Sequence, residues 1–172
     1  LTLHRAAATL SGGEAQRITN IPSGATSPKF RPDGKAILFQ TMLQSGATTL
    51  EEHKKLADEQ KARKDTARIY DTFPIRFWNF WLDGREPVIC VQELSAKTPT
   101  VVRVAPLRGS FNPTGAGETL NPVWTPDGKA IVFQATANRD RTMYEETETS
   151  LYLIPATGGA PKRLTPDGAS YG

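Results

Sequence analysis

Ser27-Pro28-Lys29-Phe30-Arg31-Pro32-Asp33-Gly34-Lys35-Ala36-Ile37-Leu38-Phe39-Gln40 decides how this chain is read. It returns as Asn121-Pro122-Val123-Trp124-Thr125-Pro126-Asp127-Gly128-Lys129-Ala130-Ile131-Val132-Phe133-Gln134. Pro32 through Ile37 recurs letter for letter as Pro126 through Ile131, and Phe39-Gln40 recurs as Phe133-Gln134. Each copy sets an aromatic residue, Phe30 or Trp124, before Pro-Asp-Gly-Lys and a mostly apolar run after it. Proline presets φ, aspartate bonds its own backbone and glycine accepts a positive φ, so the tetrapeptide makes a tight turn. Both copies are hairpins, and a recurring hairpin signals a repeat architecture.

Outward from the hairpins, a second pair of segments matches. Gly12-Gly13-Glu14-Ala15-Gln16-Arg17-Ile18-Thr19 aligns with Gly158-Gly159-Ala160-Pro161-Lys162-Arg163-Leu164-Thr165. Alternating runs precede them, Leu1-Thr2-Leu3-His4 and Leu151-Tyr152-Leu153-Ile154, as strands with one buried face require. The later copy then holds four strands: Val123–Thr125, Ala130–Gln134, Ser150–Ile154 and Pro161–Leu164. Four antiparallel strands per repeat make the blade of a β-propeller. The expected fold is all-β, about two such blades of a larger propeller. The earlier blade takes Val88–Leu94 and Thr100–Val104 as its third and fourth strands. It exceeds the usual ~40–50 residues, so an insertion separates its second and third strands.

The expected organisation follows. Residues 1–26 end a preceding blade and 27–106 form a blade with a helical and aromatic insertion at 44–84. Residues 107–166 form a second blade, and 167–172 begin the link to a next one. The insertion predicts a helix from Thr49 to about Arg68, with capping-box spacing between Thr49 and Glu52. Glu51 with Lys55 and Glu59 with Arg63 have i,i+4 spacing in the favourable direction. Five large aromatic residues follow: Phe73, Phe77, Trp78, Phe80 and Trp81. They suit an anchor for the excursion, or else a stacking or partner surface.

The formal charge of +3 and the lack of a basic stripe interleaved with aromatics give no footprint for nucleic acid. No run is long enough to span a membrane. Cys90, the one cysteine, lies in an apolar strand and reads as a buried thiol. His4 and His53 are the only histidines, and no metal-ligand spacing is present. No metal, cofactor or catalytic residue is therefore expected in the chain. A closed propeller needs roughly 4–8 blades, each covering its neighbours' faces. The repeat pattern runs to both ends, so a portion of something longer is expected, partnered by missing blades, a second chain or copies of itself.

Two motif matches are set aside. Leu10-Ser11-Gly12-Gly13-Glu14 spells the signature of ABC-type ATPases, but Pro22 and Gly24 forbid a long helix after it. Gly34-Lys35 and Gly128-Lys129 are followed by Ala, so no phosphate loop exists. Gly168-Ala169-Ser170-Tyr171-Gly172 matches a nucleophile elbow, yet Thr165-Pro166-Asp167 is no apolar strand, so Ser170 reads as a loop residue. The polar stretch Asn138–Thr149 links second and third strands and offers Glu145 and Glu146, carboxylates able to hold a substrate ammonium group.

The Pro-Asp-Gly-Lys hairpins, Leu151–Gly159 with Arg163-Leu164-Thr165, and Tyr70-Asp71…Pro74-Ile75-Arg76…Trp78…Trp81-Leu82-Asp83-Gly84 together resemble one group. It is the N-terminal propeller of prolyl-oligopeptidase-family serine peptidases, in the acylaminoacyl-peptidase and dipeptidyl-peptidase-like branch. TolB-type and other WD40-like propellers share the hairpins; the Tyr-Asp…Trp…Trp segment favours the peptidases. The resemblance implies a seven-bladed propeller capping a separate α/β-hydrolase domain, a peptide substrate, and a propeller that gates peptide access. It implies Glu145 and Glu146 as binders of the substrate amine. It maps no catalytic serine, aspartate or histidine onto these residues. A periplasmic or secreted location is expected, with the cytoplasm as alternative. The rival reading is a TolB-like periplasmic propeller that acts as a protein-binding module.

Overall fold

The computed structural model describes residues 4–5, 16–65, 67, 70, 75–77, 80–82, 84–111, 118–141 and 144–166. A strand pair, β1 (His4–Arg5) and β2 (Gln16–Arg17), comes first. Strands β3 (Thr26–Phe30) and β4 (Ala36–Gln44) form the first repeat hairpin. Helix α1 (Leu50–Ala62) and the short strands β5 (Arg76–Phe77) and β6 (Phe80–Trp81) follow. Then come β7 (Arg85–Glu93), β8 (Thr100–Arg103), β9 (Ser110–Phe111) and β10 (Glu118–Thr119). The second repeat supplies β11 (Val123–Trp124), β12 (Ala130–Thr136), β13 (Thr149–Pro155) and β14 (Lys162–Arg163).

Two four-stranded antiparallel sheets result, ordered β3-β4-β7-β8 and β11-β12-β13-β14. Neighbours in sequence are neighbours in the sheet, the meander of a propeller blade. The fold is all-β with one helix, as the repeats indicate. The two hairpins match bond for bond. Arg31 N–H donates to Ala36 O at 2.8 Å, and Thr125 N–H to Ala130 O at 2.9 Å. Asp33 Oδ1 accepts the Lys35 N–H at 2.9 Å, and Asp127 Oδ1 accepts the Lys129 N–H at 3.1 Å. Gly34 and Gly128 sit at φ +69° and +67°, where a side chain would strain the turn. The second match is also strand-paired in both copies, though in a different register: Arg17 lies opposite His4, and Arg163 opposite Tyr152.

Alternation assigns the faces. Ala36 and Leu38 of β4, with Ile89, Val91 and Val102, pack against Ile131, Phe133, Ala135, Tyr152 and Ile154. This is the seam between the sheets. Ile37, Phe39, Val88 and Cys90 face the other way, onto Ile21, Ala25 and Ala47. β4 is therefore covered on both faces, which explains its near-continuous apolar run. The outward face of the second sheet is less covered: Val132, Leu151 and Leu153 are half-buried, Val123 is 37% and Leu164 47% exposed.

The insertion departs from expectation in two ways. α1 stops at Ala62, short of Arg68, because Arg63 turns extended (ψ 133°) and the last turns carry little apolar surface to pack. Thr49 caps it as expected, its Oγ1 accepting the Glu52 N–H at 3.1 Å. Glu52 in turn takes the Thr48 N–H and hydroxyl at 2.7 and 2.6 Å. The charge pairs are also rearranged. Lys55 meets Glu59 at 4.0 Å and Arg63 meets Asp65 at 3.2 Å, since Arg63 has left the helix. Phe73 and Trp78 lie outside the described residues, as do the side chains of Phe77 and Phe80. Trp81 is 49% exposed, 6.4 Å from the Tyr70 ring and beneath the Arg76 guanidinium at 5.9 Å.

Candidate interaction surface

Polar groups converge at the seam rather than in a catalytic cleft. Gln40, the last residue of the first repeated segment, is buried and reaches the backbone at β10, between the two four-stranded sheets. Its Nε2 donates to Glu118 O and its Oε1 accepts the Leu120 N–H at 2.7 Å. One amide thus satisfies a carbonyl and an amide two residues apart, both buried. Leaving such groups unmet costs about 1–3 kcal/mol each. Gln134 holds the equivalent place in the second sheet, on its outward face. Its Oε1 accepts from the side chain of Asn121, at 2.7 Å.

Glu118 is the charged centre of the same seam, its side chain 2% exposed. Arg108 and Arg139 both ion-pair with it, and Gly109 N–H donates to Oε2 at 2.9 Å. Arg108 also donates to Arg85 O of β7 at 2.9 Å, so the cluster ties the first sheet to the second. Burial pulls the Arg139 guanidinium below its ordinary pKa, and Glu118 opposes that shift. Backbone bonds between Arg108 and Thr136 at 3.0 and 2.7 Å close the same corner. On the far side, Trp124 Nε1–H donates to Lys29 O at 3.1 Å, beneath the Arg31 guanidinium at 5.9 Å. Arg31 itself binds Glu93 at 2.6 and 3.1 Å.

A cleft of about 480 Å³ lies between the two hairpin turns, lined by Arg31, Asp33, Asp127 and Lys129 among others. Its carboxylates are engaged: Asp33 with Arg31 at 2.9 Å, Asp127 with the Thr125 hydroxyl at 2.6 Å. Nothing in that cleft pairs a nucleophile with a base.

The residues singled out from sequence fall as follows. Glu145 and Glu146 are both exposed on the β12–β13 loop. Glu145 is paired with Arg141 at 2.7 Å, and Glu146 contributes its carbonyl to Asn138 at 3.0 Å. Cys90 is buried, and burial pushes its thiol pKa up to about 12, so it is inert as a thiolate. Gln16–Arg17 is a strand and Ile21–Gly24 a turn closed by a 3.0 Å bond, so no helix follows the ATPase-like motif there. Ser170 lies outside the described residues. Among the described residues no three His, Cys, Asp or Glu side chains gather as a metal site. Among them, no helix is long and apolar enough to cross a membrane.

Sequence reasoning missed Arg108, Glu118 and Arg139, which follow no motif. Gln40 was findable: it recurs as Gln134, a polar residue closing the repeated apolar run.

No family model matches the chain. It is similar to an uncharacterised peptidase, YuxL, of Bacillus subtilis (strain 168), being 26% identical over 128 residues. That alignment covers 72% of this chain and 17% of that protein, so the chain matches a small part of its relative. It is also similar to the solved structure of a putative TolB from Agrobacterium tumefaciens. The TM-score is 0.45 at 16% identity, over 92% of this chain and 36% of that one.

Proposed function

We propose that this chain is a non-catalytic propeller segment of a peptidase, shaping peptide access to a separate hydrolase domain. One observation carries the reading. The second sheet's outward face repeats, position for position, the face that the first sheet buries. Leu38 and Gln40 are covered by the second sheet, and Val132 and Gln134 stand where a further blade would cover them. A chain of stacked blades is a wall, and its chemistry lies at its loops and rim. Similarity to a protein named as a peptidase supports the hydrolase context. On this reading residues 1–26 complete a preceding blade, and the partners are further blades and a hydrolase domain. Glu145 and Glu146, exposed on one loop, hold the free amine of a peptide.

The test is peptide hydrolysis by the intact protein. Short chromogenic peptides should be cleaved and folded proteins spared. Replacing Glu145→Gln and Glu146→Gln together should raise KM for substrates with a free amino terminus by about tenfold or more, the worth of a hydrogen bond to a charged group. An intact protein without peptide hydrolysis that retains a protein partner would overturn the reading in favour of a binding module.

A further inference from the structure

Helix α1 is attached to the first sheet by little apolar surface. Leu50 and Leu56 are the helix residues packed on the cluster beneath it. A helix of 13 residues is marginal in water by itself. Its buried residue is a histidine. His53 is 4% exposed, and its Nδ1 accepts the backbone N–H of Gln44, the last residue of β4, at 3.0 Å. Accepting at Nδ1 needs a bare lone pair. The neutral ring protonated at Nε2 provides one; the imidazolium donates from both nitrogens and provides none.

The surroundings oppose a second charge. Burial does most of this, and Arg85 of β7 adds a like charge, so the imidazole pKa lies below its ordinary value. Glu86 of β7 is held by Ser45 at 2.9 Å and by Arg103 of β8 at 3.0 Å. On α1 itself Glu52 is turned onto Thr48. The β4 side offers the neutral Gln44 side chain, bonded to Gln60 of α1 at 3.1 Å. Among the described residues no carboxylate is bonded to the ring.

We propose that His53 is a proton-sensitive latch: neutral, it fastens α1 to the end of β4, and protonation releases the helix. The released ring binds a proton more readily than the docked one. Docking is therefore complete above the ordinary imidazole pKa of 6.5 and weakens as pH falls through it. Each unit between the docked and released pKa lowers the docking constant about tenfold. The latch is independent of the peptidase reading, since it needs only the contact between α1 and β4.

Hydrogen exchange of the intact protein, followed by mass spectrometry from about pH 8 to about pH 5, tests it. After correction for intrinsic exchange rates, protection of residues 50–62 should fall about tenfold, the order expected for losing the Gln44–His53 bond, while that of β12 and β13 holds. His53→Asn keeps an acceptor oxygen near the place of Nδ1 and does not titrate, so α1 should stay protected throughout. His53→Leu should lose that protection at every pH. Undiminished protection at the acid end in the unaltered protein, or the same acid loss in His53→Asn, overturns the latch. Should His53→Asn not fold, the His53 ring resonances of the unaltered protein decide: titration at or above 6.5 overturns the proposal.

Discussion

The two sheets are built from one repeated segment, yet their energetics differ because their neighbours differ. In the first sheet β4 is covered on both sides, by the second sheet and by Ile21, Ala25 and the insertion. In the second sheet β12 is covered on one side, and Val132 and Gln134 remain half-buried. Leu38 and Val132 are equivalent in sequence and unequal in burial. The same holds for Gln40, with two buried backbone partners at Glu118 and Leu120, and Gln134, with an exposed asparagine. Position in the stack, not residue type, sets what each contributes.

The seam itself should give the largest response. Glu118→Ala leaves Arg108 and Arg139 without their shared carboxylate, and urea unfolding should show a loss of about 3–5 kcal/mol. The position matching Glu118 in the first repeat is Gly24, so the charge cluster is peculiar to this seam. A loss below about 1 kcal/mol would mean that the apolar contacts alone hold the sheets together.

Next comes the direct contrast between the sheets. Leu38→Ala should cost about 2–5 kcal/mol, whereas Val132→Ala should cost under about 1 kcal/mol in this chain. The Val132→Ala cost should rise towards the larger figure in a protein whose next blade is present. Equal costs in this chain would break the comparison.

The glutamines sharpen it further. Gln40→Ala should lose about 1–3 kcal/mol, because Glu118 O and Leu120 N–H lose their partner inside the seam. Gln134→Ala should stay within about 0.5 kcal/mol. The most local effect belongs to the insertion. Thr49→Ala should cost about 1 kcal/mol, read as faster hydrogen exchange confined to α1.

The blade strands were legible because their signals are local. Pro-Asp-Gly-Lys specifies its turn through φ and an aspartate bond, and both copies form that turn with the same hydrogen bonds. Alternating runs at Leu151–Ile154 became β13 with one extra residue at its C-terminal end and two at its N-terminal end. The insertion was less legible. The spacing of Thr49 and Glu52 located the helix start, but the end at Ala62 depends on where packing surface runs out. The candidate site was legible only in part. Glu145 and Glu146 stand out as exposed acids, while Arg108, Glu118 and Arg139 become a cluster only when two sheets close on each other.

By itself the sequence determined the repeat, the turn chemistry, the four-strand unit and the buried state of Cys90, each set by neighbours along the chain. Tertiary structure alone decided which apolar face is covered, which glutamine grips a neighbouring backbone and which arginines share one carboxylate. Those choices depend on contacts outside any local pattern, 78 and 80 positions apart for Gln40 with Glu118 and Leu120. His53 shows the division in one residue. Its place on the helix was written in the sequence, but the lone pair it offers to Gln44 exists as a bond only after β4 and α1 meet.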